Sequence, residues 1–185
     1  MFPLFCKSYI TTLAPASHAQ ARIWLDEQMR FDPDHPQVAI YNMPFVYHLS
    51  PNNTISVKQL QHALYLTVNK HLSLHTAFIF DKNKNILMQR IVEINNNHMT
   101  LFTFTESTYQ TQEQLNNIIQ EEKRNPQLFN LAQGLVFRCH LVYYKQISSE
   151  KLLSEKDIII FNFHHAAFDF PSMQIFLHDL NQAYR

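Results

Sequence analysis

Glycine and cysteine are scarce in this chain of 185 residues, which contains one glycine and two cysteines. Cys6 and Cys139 are too few and too far apart in the sequence to indicate a disulfide framework or a zinc knuckle. We therefore expect two buried, reduced thiols, as is usual in a reducing compartment.

An excess of charge of either sign is also missing, since Lys plus Arg and Asp plus Glu both number 15. This balance argues against a nucleic-acid-binding surface and against a basic membrane-binding surface. No apolar run reaches the roughly 18 residues that a membrane span needs. The opening residues also lack the basic start and apolar stretch of a secretion signal. The sequence therefore predicts a cytoplasmic protein with no nucleic-acid partner and no membrane partner.

Apolar side chains are abundant, because 46% of the residues are hydrophobic and 13% are aromatic. Such a composition supports a substantial core and excludes a disordered tail. The length fits one domain, or one lobe of a larger domain. No internal repeat, low-complexity tract or linker divides the chain.

Helix and strand signals are mixed along the sequence. Ser17 and Gln20 form a capping-box pattern that predicts the start of a first helix. Pro44 lies in the β-prone segment 38–49 and limits it to an edge strand or a bulged strand. We expect helices over 17–29, 56–71, 108–124 and 171–184, strands over 38–49, 76–80, 86–94, 99–105, 135–144 and 157–163, and a loop at 31–36. This order of helices and strands along the chain predicts an α/β or α+β sandwich, with a mixed sheet flanked by helices.

The predicted helices differ in the faces that they present. The helix over 108–124 is polar, and its charges are expected to mark a face in solvent. The other three are amphipathic, with shared faces formed by Ala21, Trp24, Leu25 and Gln28 in the first, by Val57, Leu60, Leu64 and Val68 in the second, and by Met173, Phe176, Leu177, Leu180 and Tyr184 in the last.

The most informative segment begins at His164, where the apolar run 158–163 ends. It reads His-His-Ala-Ala-Phe-Asp, with two imidazoles at the predicted end of a buried strand and the carboxyl group of Asp169 four residues after His165. These groups suit proton transfer during acyl transfer. A chance match to this pattern is expected at roughly 0.02 per sequence of this composition.

Four segments, in the right order, resemble the signatures of condensation domains of nonribosomal peptide synthetases. Residues 17–24 match S-x-A-Q-x-R-[LM]-W nearly throughout, and residues 70–78 are similar to R-H-E-x-L-R-T-x-F. Residues 128–138 resemble F-D-L-x-x-G-P-L-x-R, which would explain a glycine at position 134, where a turn enters a strand. Residues 164–170 resemble H-H-x-x-x-D-G, the hallmark of the family. The resemblance implies a chloramphenicol-acetyltransferase-like fold, which is built from two lobes.

This resemblance covers nearly the whole chain but less than half of such a domain. Residues 1–185 are therefore expected to be the N-terminal lobe, with the C-terminal lobe absent. The implied reaction forms an amide bond between acyl groups held as thioesters on the 4′-phosphopantetheine arms of carrier domains. The implied partners are carrier (thiolation) domains, the missing C-terminal lobe and an adenylation module downstream. No cofactor and no metal is expected to bind the chain directly.

The same resemblance gives the site residues their expected roles. His165 is the expected catalytic residue, because an imidazole with a pKa of about 6.5 can accept a proton or a hydrogen bond at neutral pH. His164 is expected to be structural, since adjacent side chains on an extended segment point opposite ways. Asp169 is expected to hold the loop in shape by pairing with Lys70 of the second signature. His164, His165 and Asp169 lack a familiar zinc spacing, so no metal site is indicated.

Several positions depart from the family pattern. Lys70 keeps the charge of the usual arginine but loses its bidentate fork, and His75 replaces a second arginine. Phe170 replaces the glycine of the hallmark, and Pro171 restricts its backbone, so the tunnel between the lobes is narrowed or the loop is rebuilt. Phe170, Ser172 and His75 are the candidate tunnel-lining residues.

Three alternatives stay open. His165 can be a structural histidine with satisfied hydrogen bonds. A coenzyme A-dependent acyltransferase of the same superfamily shares the shorter H-x-x-x-D, although the doublet His164–His165 and the match at 17–24 favour the condensation family. A degenerate lobe that only binds a carrier domain or a partner lobe is favoured by Phe170, Pro171, Lys70 and the missing second lobe.

Overall fold

The computed structural model describes residues 13–30, 38–92 and 101–185. Cys6, the predicted loop at 31–36 and the ends of two predicted strands, at 93–94 and 99–100, lie outside the described residues. No helix within the described ranges is long and apolar enough to cross a membrane. In chain order the elements are β1 Ala14–Pro15, α1 His18–Met29, β2 Asn42–His48, β3 Ile55–Ser56, α2 Val57–Lys70, β4 Thr76–Asp81, β5 Ile86–Ile91, β6 Thr103–Tyr109, α3 Gln112–Arg124, β7 Phe137–Tyr144, β8 Leu152–Leu153, β9 Ile158–His164 and α4 Ser172–Tyr184.

A four-stranded sheet lies at the centre of the fold. Its strands follow the order β2-β9-β7-β6, in which β6 runs parallel to β7 and the other neighbours are antiparallel. β9 is rich in isoleucine and phenylalanine, which favour strands, and every residue of this strand is buried. The predicted mixed sheet flanked by helices is confirmed.

β2 lies at one edge of this sheet. Proline has no amide hydrogen, so it is confined to strands that lack a partner on one side. Pro44 lies within β2, opposite Asn162 of β9. The edge position predicted from Pro44 is therefore confirmed, and it places β9 between β2 and β7.

Helices cover both faces of the central sheet. On one face, α2 and α4 enclose an aromatic cluster of Phe137, Phe161, Phe163 and Phe176, whose contacting rings have centroids 4.7–6.0 Å apart. On the other face, Leu115 of α3 packs on buried residues of β7 and β9. The inward faces predicted for the second and last helices are confirmed, since these residues are buried: Val57, Leu60, Leu64, Val68, Met173, Phe176 and Leu180.

β4 and β5, which correspond to the strands predicted over 76–80 and 86–94, form an antiparallel hairpin, and β1 pairs with the outer side of β5. Gly134 packs against this hairpin in the turn before β7. Its φ of 75° is left-handed, and a Cβ atom at this position would lie 2.7 Å from Cγ2 of Val92. Both the backbone and the available space therefore require glycine here.

The structure differs from the sequence-based expectations in three elements. β6 extends to Tyr109, so α3 begins at Gln112 instead of 108, because the side chain of Thr111 caps the helix. In α1, the predicted face is confirmed only in part: Ala21 and Trp24 pack against the cluster that contains the buried Ile23, whereas Leu25 is 53% exposed. The segment between β7 and β9, for which no element was predicted, contains β8, which pairs with β3.

Candidate active site

The histidine doublet begins at the last residue of the central strand β9. His164 ends this strand, and residues 165–167 form the turn that leads toward α4. His164 is 2% exposed, whereas His165 is exposed. The end of β9 thus leaves one imidazole in the interior and the next on the surface.

His165 is held in one tautomer by its backbone surroundings. Its Nδ1 lies 2.9 Å from the carbonyl oxygen of Phe168. Since a carbonyl oxygen can only accept, Nδ1 of the neutral ring carries the proton and Nε2 is an acceptor. Phe168 is fixed in turn, because its ring stacks on Phe163 with centroids 3.8 Å apart. The exposed imidazole can therefore accept a proton or a hydrogen bond through Nε2.

His164 has the opposite arrangement. Its Nδ1 accepts a hydrogen bond from the backbone amide of Ala166 at 3.2 Å. Nε2 therefore carries the proton, and it faces the two carboxylate oxygens of Glu27 at 3.2 and 3.3 Å. The ring also meets Phe129 edge-on, with centroids 5.6 Å apart. His164 thus connects the motif to α1.

Tyr41 supports the second histidine from the segment before β2. Its carbonyl oxygen accepts from the amide of His165 at 2.9 Å, and its hydroxyl donates to Asp26 at 2.8 Å. Burial, with this hydrogen bond, raises the pKa of Tyr41. Asp26 also accepts from Arg30 at 2.7 Å. The hydrogen bonds from Arg30 and Tyr41 hold the pKa of Asp26 below its ordinary value.

Asp169 does not pair with Lys70, which corrects the expectation drawn from the family resemblance. Its Oδ1 accepts from the amide of Ser172 at 3.1 Å and from the Ser172 hydroxyl, and these bonds lower the pKa of Asp169. Lys70 pairs with Asp179 at 2.8 Å, and His71 contacts the same carboxylate at 2.7 Å. The reason is geometric: Asp169 closes the turn that begins α4, whereas Asp179 lies farther along α4, beside the end of α2.

The three candidate tunnel-lining residues lie in different environments. Phe170 is 71% exposed, so its ring lies on the surface of this chain beside the motif. Ser172 is half-buried at the start of α4. His75 is 4% exposed, and its Nδ1 contacts the carbonyl oxygen of Val92 at 3.0 Å. Contrary to expectation, His75 therefore faces the interior, because the short 3-10 helix at 72–75 turns its side chain inward.

Two depressions adjoin the motif. The larger, of about 400 Å³, is lined by Trp24, Glu27 and His164 among others, so the contact between Glu27 and His164 lies at its wall. The smaller, of about 80 Å³, is lined in part by Phe168 and Ser172. Within the described ranges, no three His, Cys, Asp or Glu side chains converge as metal ligands would.

A buried ionic cluster lies beside β9, close to the doublet. Glu122 of α3 is 2% exposed, although the charges of its helix were expected to face solvent. Its carboxylate accepts from Arg138 at 2.9 Å, from Asn162 at 2.9 Å and from His140 at 2.7 Å. Burial alone would raise the pKa of Glu122, but the hydrogen bonds from His140 and Asn162 and the charge of Arg138 outweigh it and hold the pKa below its ordinary value.

The residues that hold the doublet in place were not found from the sequence. Glu27 carried a signal, because it follows Ile23 by four positions and Trp24 by three, and such positions share one face of a helix. A carboxylate on that face indicates a partner inside the fold. Tyr41 carried no such signal, since it contacts His165 through its backbone carbonyl, which is common to all residues.

Comparisons with known proteins agree with the resemblance seen in the sequence motifs. The family model for the condensation domain matches residues 10–185. The hybrid PKS-NRPS synthetase apdA of Emericella nidulans is 29% identical over 172 residues, which cover 92% of this chain and 4% of that protein. Tenellin synthetase of Beauveria bassiana is 28% identical over 172 residues, which cover 93% of this chain and 4% of that synthetase. The chain thus spans a small part of the length of these curated relatives.

Solved structures share the fold. The starter condensation domain of rhizomide synthetase RzmA superimposes with a TM-score of 0.63 at 18% identity, and the match covers 94% of this chain and 37% of that one. The X-domain in a complex with OxyB from teicoplanin biosynthesis matches with a TM-score of 0.65 at 23% identity, over 93% of this chain and 32% of that one. At these identities the likeness is one of fold, the chloramphenicol-acetyltransferase-like fold of condensation domains.

Proposed function

Because this chain belongs to the condensation-domain family, we propose that it is the N-terminal lobe of such a domain and that the complete domain forms amide bonds in nonribosomal peptide synthesis. The proposal assigns residues 1–185 to the first of two lobes. The second lobe would close the tunnel in which the two substrates meet.

The proposed reaction joins two groups that are held as thioesters on the 4′-phosphopantetheine arms of carrier domains. The amine nitrogen of the acceptor attacks the thioester carbonyl carbon of the donor. A C–N bond forms, the C–S bond breaks, and the donor arm leaves as a thiol that takes up the proton lost by the amine. His165 either relays this proton through Nε2 or uses the same lone pair to hold the amine in place.

The tautomer of His165 is the observation that carries this proposal. The carbonyl of Phe168 keeps the proton on Nδ1, so the lone pair of Nε2 remains available on an exposed ring. His164, by contrast, uses both ring nitrogens within the fold, with Ala166 and Glu27 as partners. The two members of the doublet thus differ in the way that a catalytic residue and a structural residue should.

The proposal includes partners and a location. The direct partners would be carrier (thiolation) domains and the C-terminal lobe, with an adenylation module downstream. Substrates would arrive on phosphopantetheine, and no metal or cofactor would bind the chain itself. The cytoplasm stays the predicted location, since this chemistry depends on free thiols.

We expect substitution of His165 to abolish condensation without unfolding the protein. In a domain completed by its second lobe, His165→Ala should lower kcat by about 10²–10⁴-fold, the usual contribution of a positioned acid or base. Formation of the amide product on the acceptor carrier would be measured by mass spectrometry of the intact carrier. Circular dichroism would establish that the fold is retained.

Two further variants sharpen this experiment. His62→Ala removes an exposed histidine of α2 and should leave kcat unchanged. His165→Gln keeps a hydrogen-bonding side chain that cannot take up a proton at neutral pH, so partial activity in this variant would favour positioning over base catalysis. Full activity in a folded His165→Ala domain would rule out the role given to His165.

A further inference from the structure

Two adjacent carboxylates of α1 reach the histidine doublet by separate routes. Asp26 accepts from the hydroxyl of Tyr41, whose carbonyl oxygen accepts from the amide of His165. Glu27 faces Nε2 of His164 directly. One turn of a single helix therefore contacts His164 directly and His165 only through Tyr41.

The contact with Glu27 determines which ring nitrogen of His164 carries the proton. A neutral imidazole carries its proton on either nitrogen, and the partner of one nitrogen decides the state of the other. With the carboxylate at Nε2, the proton stays there and Nδ1 is free to accept from the amide of Ala166 at 3.2 Å. In the other tautomer, two N–H groups would face each other, and this contact would be lost.

Loss of that hydrogen bond would alter the backbone at His165, because this residue lies between His164 and Ala166. The amide of Ala167 donates to the carbonyl of His164 at 2.9 Å, and the amide of His165 donates to Tyr41 at 2.9 Å. These bonds form a tight turn whose geometry depends on the ring of His164 at its inner side. An exposed side chain on such a turn takes its direction from the backbone beneath it.

We propose that Glu27 is a positioning residue, which holds His164 as the Nε2–H tautomer and thereby sets the direction of His165. This inference rests on the role proposed above for His165. Asp26 would support the same turn through Tyr41. Glu27 would not touch substrate; it would act only through His164 and the turn at 165–167.

The experiment uses the complete condensation domain that contains this chain, with three substitutions in α1. Glu27→Leu removes the acceptor, Glu27→Gln keeps an oxygen that can accept from Nε2–H, and Gln28→Leu is the matched control at the neighbouring position. Long-range ¹⁵N–¹H spectra of the histidine-labelled domain report which ring nitrogen carries the proton. The signals of His164 are assigned from their loss in a His164→Asn domain.

We expect wild type, Glu27→Gln and Gln28→Leu to keep the proton of His164 on Nε2, and Glu27→Leu to populate the Nδ1–H form. Hydrogen exchange of the segment 164–168, followed by mass spectrometry, should be at least about tenfold faster in Glu27→Leu. In the condensation assay, kcat of Glu27→Leu should fall about 10–100-fold with KM for the acceptor carrier unchanged, as expected for misplacement of a catalytic group. Glu27→Gln should recover most of that loss.

A Glu27→Leu domain with the wild-type tautomer of His164, or with wild-type kcat, would overturn the proposal. Equal losses in Glu27→Leu and Gln28→Leu would do the same, because they would indicate a general disturbance of α1. The two proposals fail in different ways. A wild-type domain that forms no amide would contradict the proposed function, while the tautomer of His164 would still decide whether Glu27 holds the ring.

Discussion

Hydrogen-bond partners decide which ring nitrogen of each histidine carries the proton. A carbonyl partner places the proton of His165 on Nδ1, whereas the amide of Ala166 at Nδ1 and the carboxylate of Glu27 at Nε2 together favour a proton on Nε2 of His164. Two identical side chains, adjacent in sequence, therefore present different nitrogens to their surroundings. Phe168, Ala166 and Glu27 provide the difference.

Substitution of Gly134 by alanine adds only one methyl group but should clearly lower the stability of the fold. Gly134→Ala would place a methyl group against Val92 and would keep a left-handed φ of 75° on a residue with a side chain. We expect the free energy of unfolding to fall by about 1–3 kcal/mol, the usual cost of such a strained conformation. Urea unfolding followed by circular dichroism measures this change. The exposed neighbour Gln133→Ala should change it by less than about 0.5 kcal/mol, and equal stability of both variants would contradict the argument.

For single residues, the sequence identified those of the motif but not all of the side chains that they contact. The sequence predicted that the side chains of His164 and His165 point in opposite directions, and the first is buried while the second is exposed. The partner of Lys70 was predicted wrongly. Asp169 and Asp179 both lie in the last part of the chain, and only the packing of α4 on α2 places Asp179 beside Lys70. His75 was misplaced for a similar reason, since the 3-10 helix that turns it inward has no strong sequence signal.

Among the elements, α3 is attached to the sheet in an unusual way for a polar helix. Glu122, near its C-terminal end, is buried and accepts hydrogen bonds from residues of two strands. The backbone carbonyl of Glu122 also accepts from Asn42 at 3.2 Å and from Asn162 at 2.7 Å. α3 is thus bound to β2, β7 and β9 by polar contacts as well as by its apolar face.

Removal of the buried charge of Glu122 should destabilise the protein strongly. Glu122→Gln leaves Arg138, whose side chain is 12% exposed, without its counter-charge. We expect a loss of about 3–5 kcal/mol, the usual result of removing one partner of a buried pair. Urea unfolding measures it, with Glu113→Gln, an exposed position of the same helix, as the control. Similar midpoints for the two variants would show that the buried contacts of Glu122 contribute little.

Elements with local signals were predicted well, and those that depend on distant partners were not. The capping box at Ser17 is present in the structure, and Pro44 correctly predicted an edge strand. The prediction ended β6 at Thr105, four residues before its end at Tyr109, because its parallel partner β7 lies beyond α3 and no local pattern reveals that pairing. Glu122 was assigned to a solvated face for the same reason, since its partners belong to other elements.

For the whole molecule, paired carboxylates predict how stability depends on pH. The contacts described above hold the pKa of Glu122 below its ordinary value. Tyr143 and Lys151 lower the pKa of Glu106. Lys70 and His71 lower the pKa of Asp179. Each carboxyl group therefore binds protons less readily in the folded chain than in the unfolded chain. Their stabilisation is complete above the ordinary values of 4.5 for Glu and 3.8 for Asp, and it is lost as the pH falls through the lower folded-state values.

We accordingly expect the free energy of unfolding to decrease as the pH falls below about 4.5. Urea titrations at a series of pH values between neutrality and pH 3 would measure the slope. Glu122→Gln should reduce that slope, because one of the coupled carboxylates is gone, whereas Glu113→Gln should leave it unchanged. A wild-type chain that is as stable at pH 3 as at neutral pH would contradict the expectation.

The position of β9 also limits how this molecule can vary. Its side chains alternate between the aromatic cluster beneath α2 and α4 and the face covered by α3, and none of them reaches solvent. Phe163 packs in the core and stacks on the residue whose carbonyl orients His165. A substitution of Phe163 that only repacks the interior is therefore expected to be transmitted to His165. At this position, stability and activity cannot be adjusted independently of each other.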